Sequence, residues 1–263
     1  MNDFQASAFG TGLLLEKDRI ILNPGVSSLD ENSDGLTRQI TRNTTRVAVG
    51  AGTGLGVAWV EGAVEDNSAG DSENRNAAAC AHDTEGGHID FAPVDEIQIE
   101  LLQFLQQRFG HVSYERILSG DGLVSLYQFC AGKQCAANHS DGINAEWVNK
   151  QSENDAAAGR ALSLFVQIYG AYIGNIALLF KPYGGIFITG GIAAKIVNKM
   201  QSEEFIYAYL NKGRMRTLVE QIAVYLFTNE RVGVLGAMSE AIKMQHKPQH
   251  KSLQLQSLQQ VSE

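Results

Sequence analysis

Several things are scarce in this chain of 263 residues. Its three cysteines, Cys80, Cys130 and Cys135, are too few and too oddly spaced for a disulfide framework or a C-x-x-C metal site, so they read as reduced thiols. Basic residues are in the minority: 21 Lys and Arg stand against 29 Asp and Glu, a formal net charge of −8. Nucleic-acid binding needs a basic footprint to neutralise phosphates, so no nucleic-acid partner is expected. No apolar run reads as long enough for a membrane span, which takes about 18 residues. The start Met1-Asn2-Asp3 also lacks the basic lead of a secretory signal, so a cytoplasmic chain with no membrane partner is expected. Against four prolines and two tryptophans stand 27 glycines, mostly clustered at the ends of apolar runs. Glycine in such places lets backbone approach a ligand or another strand closely. A hydrophobic share of 44% and a charged share of 19% are those of a globular chain, long enough for one large domain or a large domain with part of a second.

The patterning predicts alternating strands and helices. Arg46 to Val49 and Val57 to Val60 are β-branched runs joined by the glycine-rich segment Gly50 to Gly56, a strand, turn, strand signal. From Val94 to Phe109, Ile97, Leu101, Leu105 and Phe109 recur at four-residue steps and Gly110 follows, which predicts an amphipathic helix with a glycine at its end. A longer apolar helix is expected from Asn154 to Phe180, with Leu164, Ile168, Tyr172, Ile176 and Leu179 at helical spacing. Gly185 to Thr189 and Ala223 to Phe227 read as buried strands, and helical patterns start at Ile192 and span Val232 to Met244. The polar stretches Asn23 to Thr45 and Glu61 to Asp83 read as surface loops, and the tail from Gln245 as disordered. Strands separated by long helices indicate an α/β sheet.

Chemistry-bearing residues sit near the glycines. The Gly50 to Gly56 segment has neither G-K-[ST] nor G-x-G-x-x-G, so it is either a structural tight turn or a nest of N–H groups for an anion, with the Thr53 hydroxyl as a further donor. Gly190 and Gly191 close a strand and open a helix, which serves either close packing or a nucleotide. Glu85, His88 and Glu115 lie near turns. Taken singly they are solvated charges, and taken together they are acceptors suited to a polyhydroxylated ligand. Asp3 on its own reads as a helix N-cap, and His111 as a helix-end residue.

Taken in order, these segments resemble the bacterial ATP-dependent glucokinase family, the non-ROK branch of the actin-like sugar kinases. Asn2-Asp3-Phe4 resembles the catalytic loop, Gly50 to Gly56 the second phosphate loop, and Glu85-Gly86-Gly87-His88-Ile89-Asp90-Phe91-Ala92-Pro93 the sugar-binding signature. Gly110 to Gly120, Arg160 to Phe165 and Gly184 to Gly191 complete the order, the last resembling the adenosine motif. The resemblance implies the α/β actin-like ATPase (RNase H-like) sugar kinase fold and transfer of the ATP γ-phosphoryl group to the 6-hydroxyl of D-glucose, with Mg²⁺ on the nucleotide. Asp3 would be the general base. Asn2, Glu85, His88 and Glu115 would hold the sugar, and Gly50, Gly52, Thr53, Gly54, Gly56, Gly190 and Gly191 the nucleotide. No residue is implied as a metal ligand, and a homodimer is what the family suggests. The family's first phosphate loop, D-x-G-G-T-N, does not occur in this sequence. The chain is therefore expected to be N-terminally truncated, mainly the large domain with most of the small domain missing. Residues 1–12 would be a remnant of the small domain, 13–231 the large domain, 232–244 a helix returning to the small domain and 245–263 a tail. The alternative is a non-catalytic remnant that binds sugar or a partner subunit.

Overall fold

The glycine-rich segment folds as a hairpin in which Gly50 pairs with Gly56 and Ala51 with Leu55, so the strands run further into the turn than the β-branched residues alone predict. The computed structural model describes residues 3–11, 19–25, 45–61, 80–132, 142–228 and 237–238. Its strands are β1 (Arg19–Asn23), β2 (Arg46–Ala51), β3 (Leu55–Glu61), β4 (Cys80–Thr84), β5 (Ile186–Thr189) and β6 (Val224–Phe227). They form one sheet in the order β1-β6-β5-β2-β3-β4. β5 runs parallel to both β2 and β6, while β1, β3 and β4 are antiparallel to their neighbours. The parallel centre is buried along nearly its whole length, which is why β5 and β6 read as continuous apolar runs rather than alternating ones.

The helices are α1 (Asp3–Gly10), α2 (Glu96–Phe109), α3 (Gly120–Ala131), α4 (Ala145–Gln151), α5 (Ala156–Phe180), α6 (Gly191–Lys195), α7 (Val197–Met200), α8 (Glu203–Leu210) and α9 (Arg216–Glu220). α5 lies in the main core, where Leu164, Ile168, Tyr172 and Ile176 are buried together with Val47, Val49, Ile186 and Ile188. Burial of each such side chain contributes about 1.5–3 kcal/mol. Asp155, rather than Asn154, caps this helix by accepting from the N–H groups of Ala157 and Ala158 at 2.8 and 2.9 Å. At the other end Leu179 is 67% exposed. α8 packs closely on α5 because Gly170 and Gly174 lie under its carbonyls: a Cβ there would come within 2.4 Å of the Phe205 oxygen and 2.5 Å of the Tyr209 oxygen respectively. On the opposite sheet face Ala8 of α1 packs against Ala48, Ala58 and Val60, the residues that alternate with the core-facing ones.

Several expectations are corrected. α2 starts at Glu96, behind the cap Asp95, and Ile97, which the spacing placed on the apolar face, is 55% exposed while the neighbouring Gln98 is buried. The cause is local. Gln98 donates its N–H to Asp95 Oδ1 at 2.8 Å and accepts from the Val94 N–H at 3.2 Å, so its side chain is folded inward to close the helix start. Cys80 to Asp83, read as loop, belongs to the edge strand β4, where Trp59 stacks on His82 at 4.8 Å. Helix α5 is in fact long and apolar enough to cross a membrane, and 72% of its apolar window is buried inside the fold, as befits a core helix. Within 232–244 only Ala237 and Met238 are described, as helical; Cys135, residues 26–44 and 62–79 and the tail lie outside the described residues.

Candidate active site

Two short turns carry the sugar-type residues. At the end of β4 the Thr84 hydroxyl donates to the Val57 carbonyl at 3.2 Å and accepts the Gly86 N–H at 2.9 Å, bending the chain into a 3-10 turn over Gly86–His88. Gly87 is indispensable to that bend, since a Cβ there would stand 1.9 Å from the Leu55 carbonyl oxygen. A second 3-10 turn, Tyr114–Arg116, is laid beside the first: Tyr114 N–H donates to Ile89 at 3.1 Å and Phe91 N–H to Val112 at 3.0 Å. His111, read as a helix-end residue, clasps the same two segments through its Nε2, 2.6 Å from Asp90 Oδ1.

Glu85, His88 and Glu115 converge. His88 Nε2 lies 3.7 Å from Glu85 Oε2 and 3.7 Å from Glu115 Oε1, so all three groups fit within the span of one hexose. Glu115 is the anchored member: its Oε2 accepts the Leu55 N–H at 2.8 Å, leaving Oε1 as the free acceptor. Glu85 is 89% exposed and His88 57%, against 31% for Glu115, so the cluster opens to solvent on one side. An anchored carboxylate, a free one and an imidazole can together accept hydrogen bonds from several hydroxyls of one ligand.

The hairpin turn Gly52 to Gly54 separates this cluster from a cleft of about 320 Å³. Gly120 N–H donates to the Gly52 carbonyl at 2.9 Å, which ties the turn to the start of α3. The cleft is lined by Gly52 and Thr53, by Gly120 and Asp121 of α3, by Glu146 and Asn149 of α4, and by Gly191 and Lys195 of α6. The glycines predicted as one group therefore have separate surroundings. Gly52 and Gly191 line the cleft, Gly50 and Gly56 are ladder partners, and Gly54 faces the Glu115 carboxylate, whose Oε2 would be 2.5 Å from an added Cβ. Gly190, at φ 91°, backs onto β2, where a Cβ would be 2.5 Å from the Ala51 oxygen. Asp121, Glu146, Asn149 and Lys195 were not foreseen. The only hint was Ser119-Gly120-Asp121-Gly122, a helix start whose Ser119 hydroxyl accepts the Gly122 N–H at 3.1 Å.

Asp3 is the first residue of α1, its side chain lying outside the described residues together with Asn2. Among the described residues there is no group of three or more His, Cys, Asp or Glu side chains that could hold a metal ion.

A family model described as Glucokinase matches residues 1–244. A curated glucokinase from Nostoc punctiforme is 34% identical over 259 residues, covering 90% of this chain and 69% of that protein. The crystal structure of a glucokinase from an Antarctic psychrotroph superimposes with a TM-score of 0.72 at 25% identity, over 90% of this chain and 66% of the other. A glucokinase from Balamuthia mandrillaris in complex with glucose shares the fold with a TM-score of 0.72 at 18% identity, over 91% of this chain and 64% of its own. The chain thus spans about two thirds of the length of the proteins it matches, with the mixed α/β architecture of actin-like sugar kinases.

Proposed function

The chain belongs to the glucokinase family, and we propose that it binds D-glucose at the Glu85, His88 and Glu115 cluster and ATP in the neighbouring cleft, for transfer of the γ-phosphoryl group to the sugar 6-hydroxyl. The observation that carries this reading is the convergence of two carboxylates on one imidazole nitrogen, open to solvent and separated from the cleft by a single glycine turn.

In this reading Glu115, fixed by the Leu55 N–H, presents Oε1 to a sugar hydroxyl, while Glu85 and His88 take further hydroxyls from the open side. Asn2 joins them and Asp3 serves as general base, both assigned by their place in the catalytic-loop motif. A carboxylate aligned with the 6-hydroxyl accepts its proton as the phosphoryl group transfers. On the other side of the turn Thr53 offers its backbone N–H and hydroxyl to the phosphates, while the Gly52 N–H closes the turn on the Gly54 carbonyl at 2.8 Å and Lys195 and Gly191 stand at the far wall of the cleft. Mg²⁺ bound to ATP would supply charge neutralisation. A reaction that draws on ATP fits a cytoplasmic location.

The test is isothermal titration of the purified chain with D-glucose and, separately, with ATP. Saturable binding of both is expected, with Glu115→Ala losing glucose and keeping ATP. A chain that binds ATP and no glucose refutes the sugar-site assignment.

A further inference from the structure

A partly buried polar thread runs beneath the sugar-type cluster and ends 37 residues beyond the helix position it holds. The Lys212 ammonium donates to Asn175 Oδ1 at 2.8 Å and to the Ala171 carbonyl at 2.8 Å. Asn175 in turn donates through Nδ2 to the Tyr114 hydroxyl at 3.0 Å. Tyr114 immediately precedes Glu115 and is 2% exposed. Its ring packs on Tyr172 at 4.6 Å between centroids, and the Tyr172 hydroxyl donates to the Gly86 carbonyl at 2.9 Å, between Glu85 and His88. Both turns of the cluster are thus held from below by side chains of α5, and Lys212 orients the asparagine at the bottom.

The path of Lys212 is built in. Its Cε would lie 2.4 Å from a Cβ at position 174, so Gly174 opens the helix surface for the lysine stem to cross. The hydrogen bonds of Lys212 and Asn175 go to Ala171, to each other and to Tyr114 rather than to Glu85, His88 or Glu115, and neither residue belongs to the motifs of the family resemblance. Partial burial of the lysine costs desolvation, which pushes its pKa down, and its bonds to a helix carbonyl and an amide oxygen offset that cost.

We propose that Lys212, acting through Asn175 and Tyr114, is a positioning residue for Glu115 and so for glucose, with Tyr172 doing the same for the Glu85 to His88 turn. The proposal rests on the sugar-site reading above. It is selective for one ligand: the thread reaches Tyr114 and Gly86, whereas the lining of the nucleotide cleft contains none of its members.

The experiment compares the full chain with Lys212→Met, which keeps the stem and removes the charged donor, with the milder Tyr172→Phe, and with Lys212→Met combined with Asn175→Leu. Two readouts are taken: dissociation constants for glucose and ATP by titration, and amide hydrogen exchange over residues 85–91 and 112–118. Loss of hydrogen bonds of this kind predicts glucose binding weakened roughly threefold to tenfold with ATP unchanged. Exchange should be faster in both segments for Lys212→Met and mainly in the first for Tyr172→Phe. The double variant, which also removes the Asn175 bond to Tyr114, should weaken glucose at least as much as Lys212→Met alone and still leave ATP unchanged. Equal weakening of both ligands together with a lowered melting temperature would mean a merely structural role and would overturn the proposal, as would unchanged exchange in both segments. If the parent chain binds no glucose, the sugar-site reading fails while exchange still decides whether the thread positions the two turns.

Discussion

Replacing Gly54 by alanine tests the turn that joins the two sites. The three heavy atoms nearest to a Cβ built there all belong to Glu115, with Oε2 at 2.5 Å and Cδ at 3.3 Å. The backbone at this position needs no left-handed conformation, so alanine meets a side-chain obstacle and no backbone one. The carboxylate must retreat by about 1 Å to reach ordinary contact, which breaks its 2.8 Å bond with the Leu55 N–H. A hydrogen bond to a charged group contributes about 1.5–3 kcal/mol. Glu115 is 31% exposed, so water replaces part of that. The expected loss of stability is about 1–2 kcal/mol, a drop in Tm of roughly 2–8 °C for a domain of this size. The same retreat withdraws Oε1 from the sugar, and loss of one charged acceptor weakens glucose binding roughly 10- to 150-fold. Calorimetric melting and glucose titration measure both. Gly52→Ala is the control for stability, since nothing lies within 4 Å of its Cβ, and its change should stay within about 0.5 kcal/mol. In a Glu115→Ala background the obstacle is gone, so Gly54→Ala should add almost nothing. An unaltered glucose affinity in Gly54→Ala, or an equal cost with and without Glu115, refutes the reasoning.

Gly87→Ala should be far more damaging, by about 4 kcal/mol or more, because its Cβ meets the Leu55 carbonyl at 1.9 Å and backbone cannot give way as a side chain does; a cooperative melt near that of the parent chain would contradict this. Asp155→Ala removes the acceptor for two N–H groups at the start of α5 and should cost about 1–2 kcal/mol in urea unfolding, an effect that Asp155→Ser should largely restore. Stability should fall steeply as pH rises above 10. Burial raises the pKa of Tyr114, Tyr169, Tyr172 and Tyr209 above the ordinary phenol value of 10.0, so beyond that pH the unfolded chain releases protons that the folded one keeps. Each such tyrosine lowers stability by about 1.4 kcal/mol per pH unit from there up to its folded pKa, and contributes no penalty at neutral pH. Phenolate absorbance should therefore rise together with unfolding, and a gradual rise in a still-folded chain would count against it.

What the sequence made legible was what local pattern decides. Leu164, Ile168, Tyr172 and Ile176 of α5 and the continuous runs of β5 and β6 are buried as their spacing assigns, Leu179 alone of the stripe being exposed. Pattern failed where the environment is half-wet or where a polar group replaces an apolar one for a local reason. β4 is an edge strand with no fully buried residue, so Cys80 to Thr84 carries no alternation strong enough to stand out from the polar segment before it. Gln98 is buried because it closes a helix start. In the site, Glu85, His88 and Glu115 could be grouped only through the order of motifs, since the contact that fixes Glu115 joins residues 60 apart in sequence. Asp121, Glu146 and Asn149 were invisible for a related reason. Each is an ordinary polar residue early in or along a helix, and only the packing of α3 and α4 about the hairpin turns them toward one cleft.

The alternating glycines show how the two halves of the site depend on each other. From sequence, Gly50 to Gly56 offered a choice between a structural turn and a phosphate nest, and the structure gives its glycines different surroundings. Gly50 and Gly56 are ladder partners, Gly52 faces the cleft, and Gly54 leaves room for the Glu115 carboxylate. A thicker turn would force the two ligand sites apart by the width of its side chains. Transfer of a phosphoryl group needs donor and acceptor held about 3–3.5 Å from each other, so the thinness of this partition is itself a requirement of the proposed reaction. It follows that bulk added at position 52 should weaken ATP and bulk added at position 54 should weaken glucose, although the two residues are separated only by Thr53. A residue-by-residue switch in which ligand is lost, measured across the pair Gly52→Val and Gly54→Val, is what a shared wall predicts. A simple loop-stability effect predicts that both variants lose both ligands together.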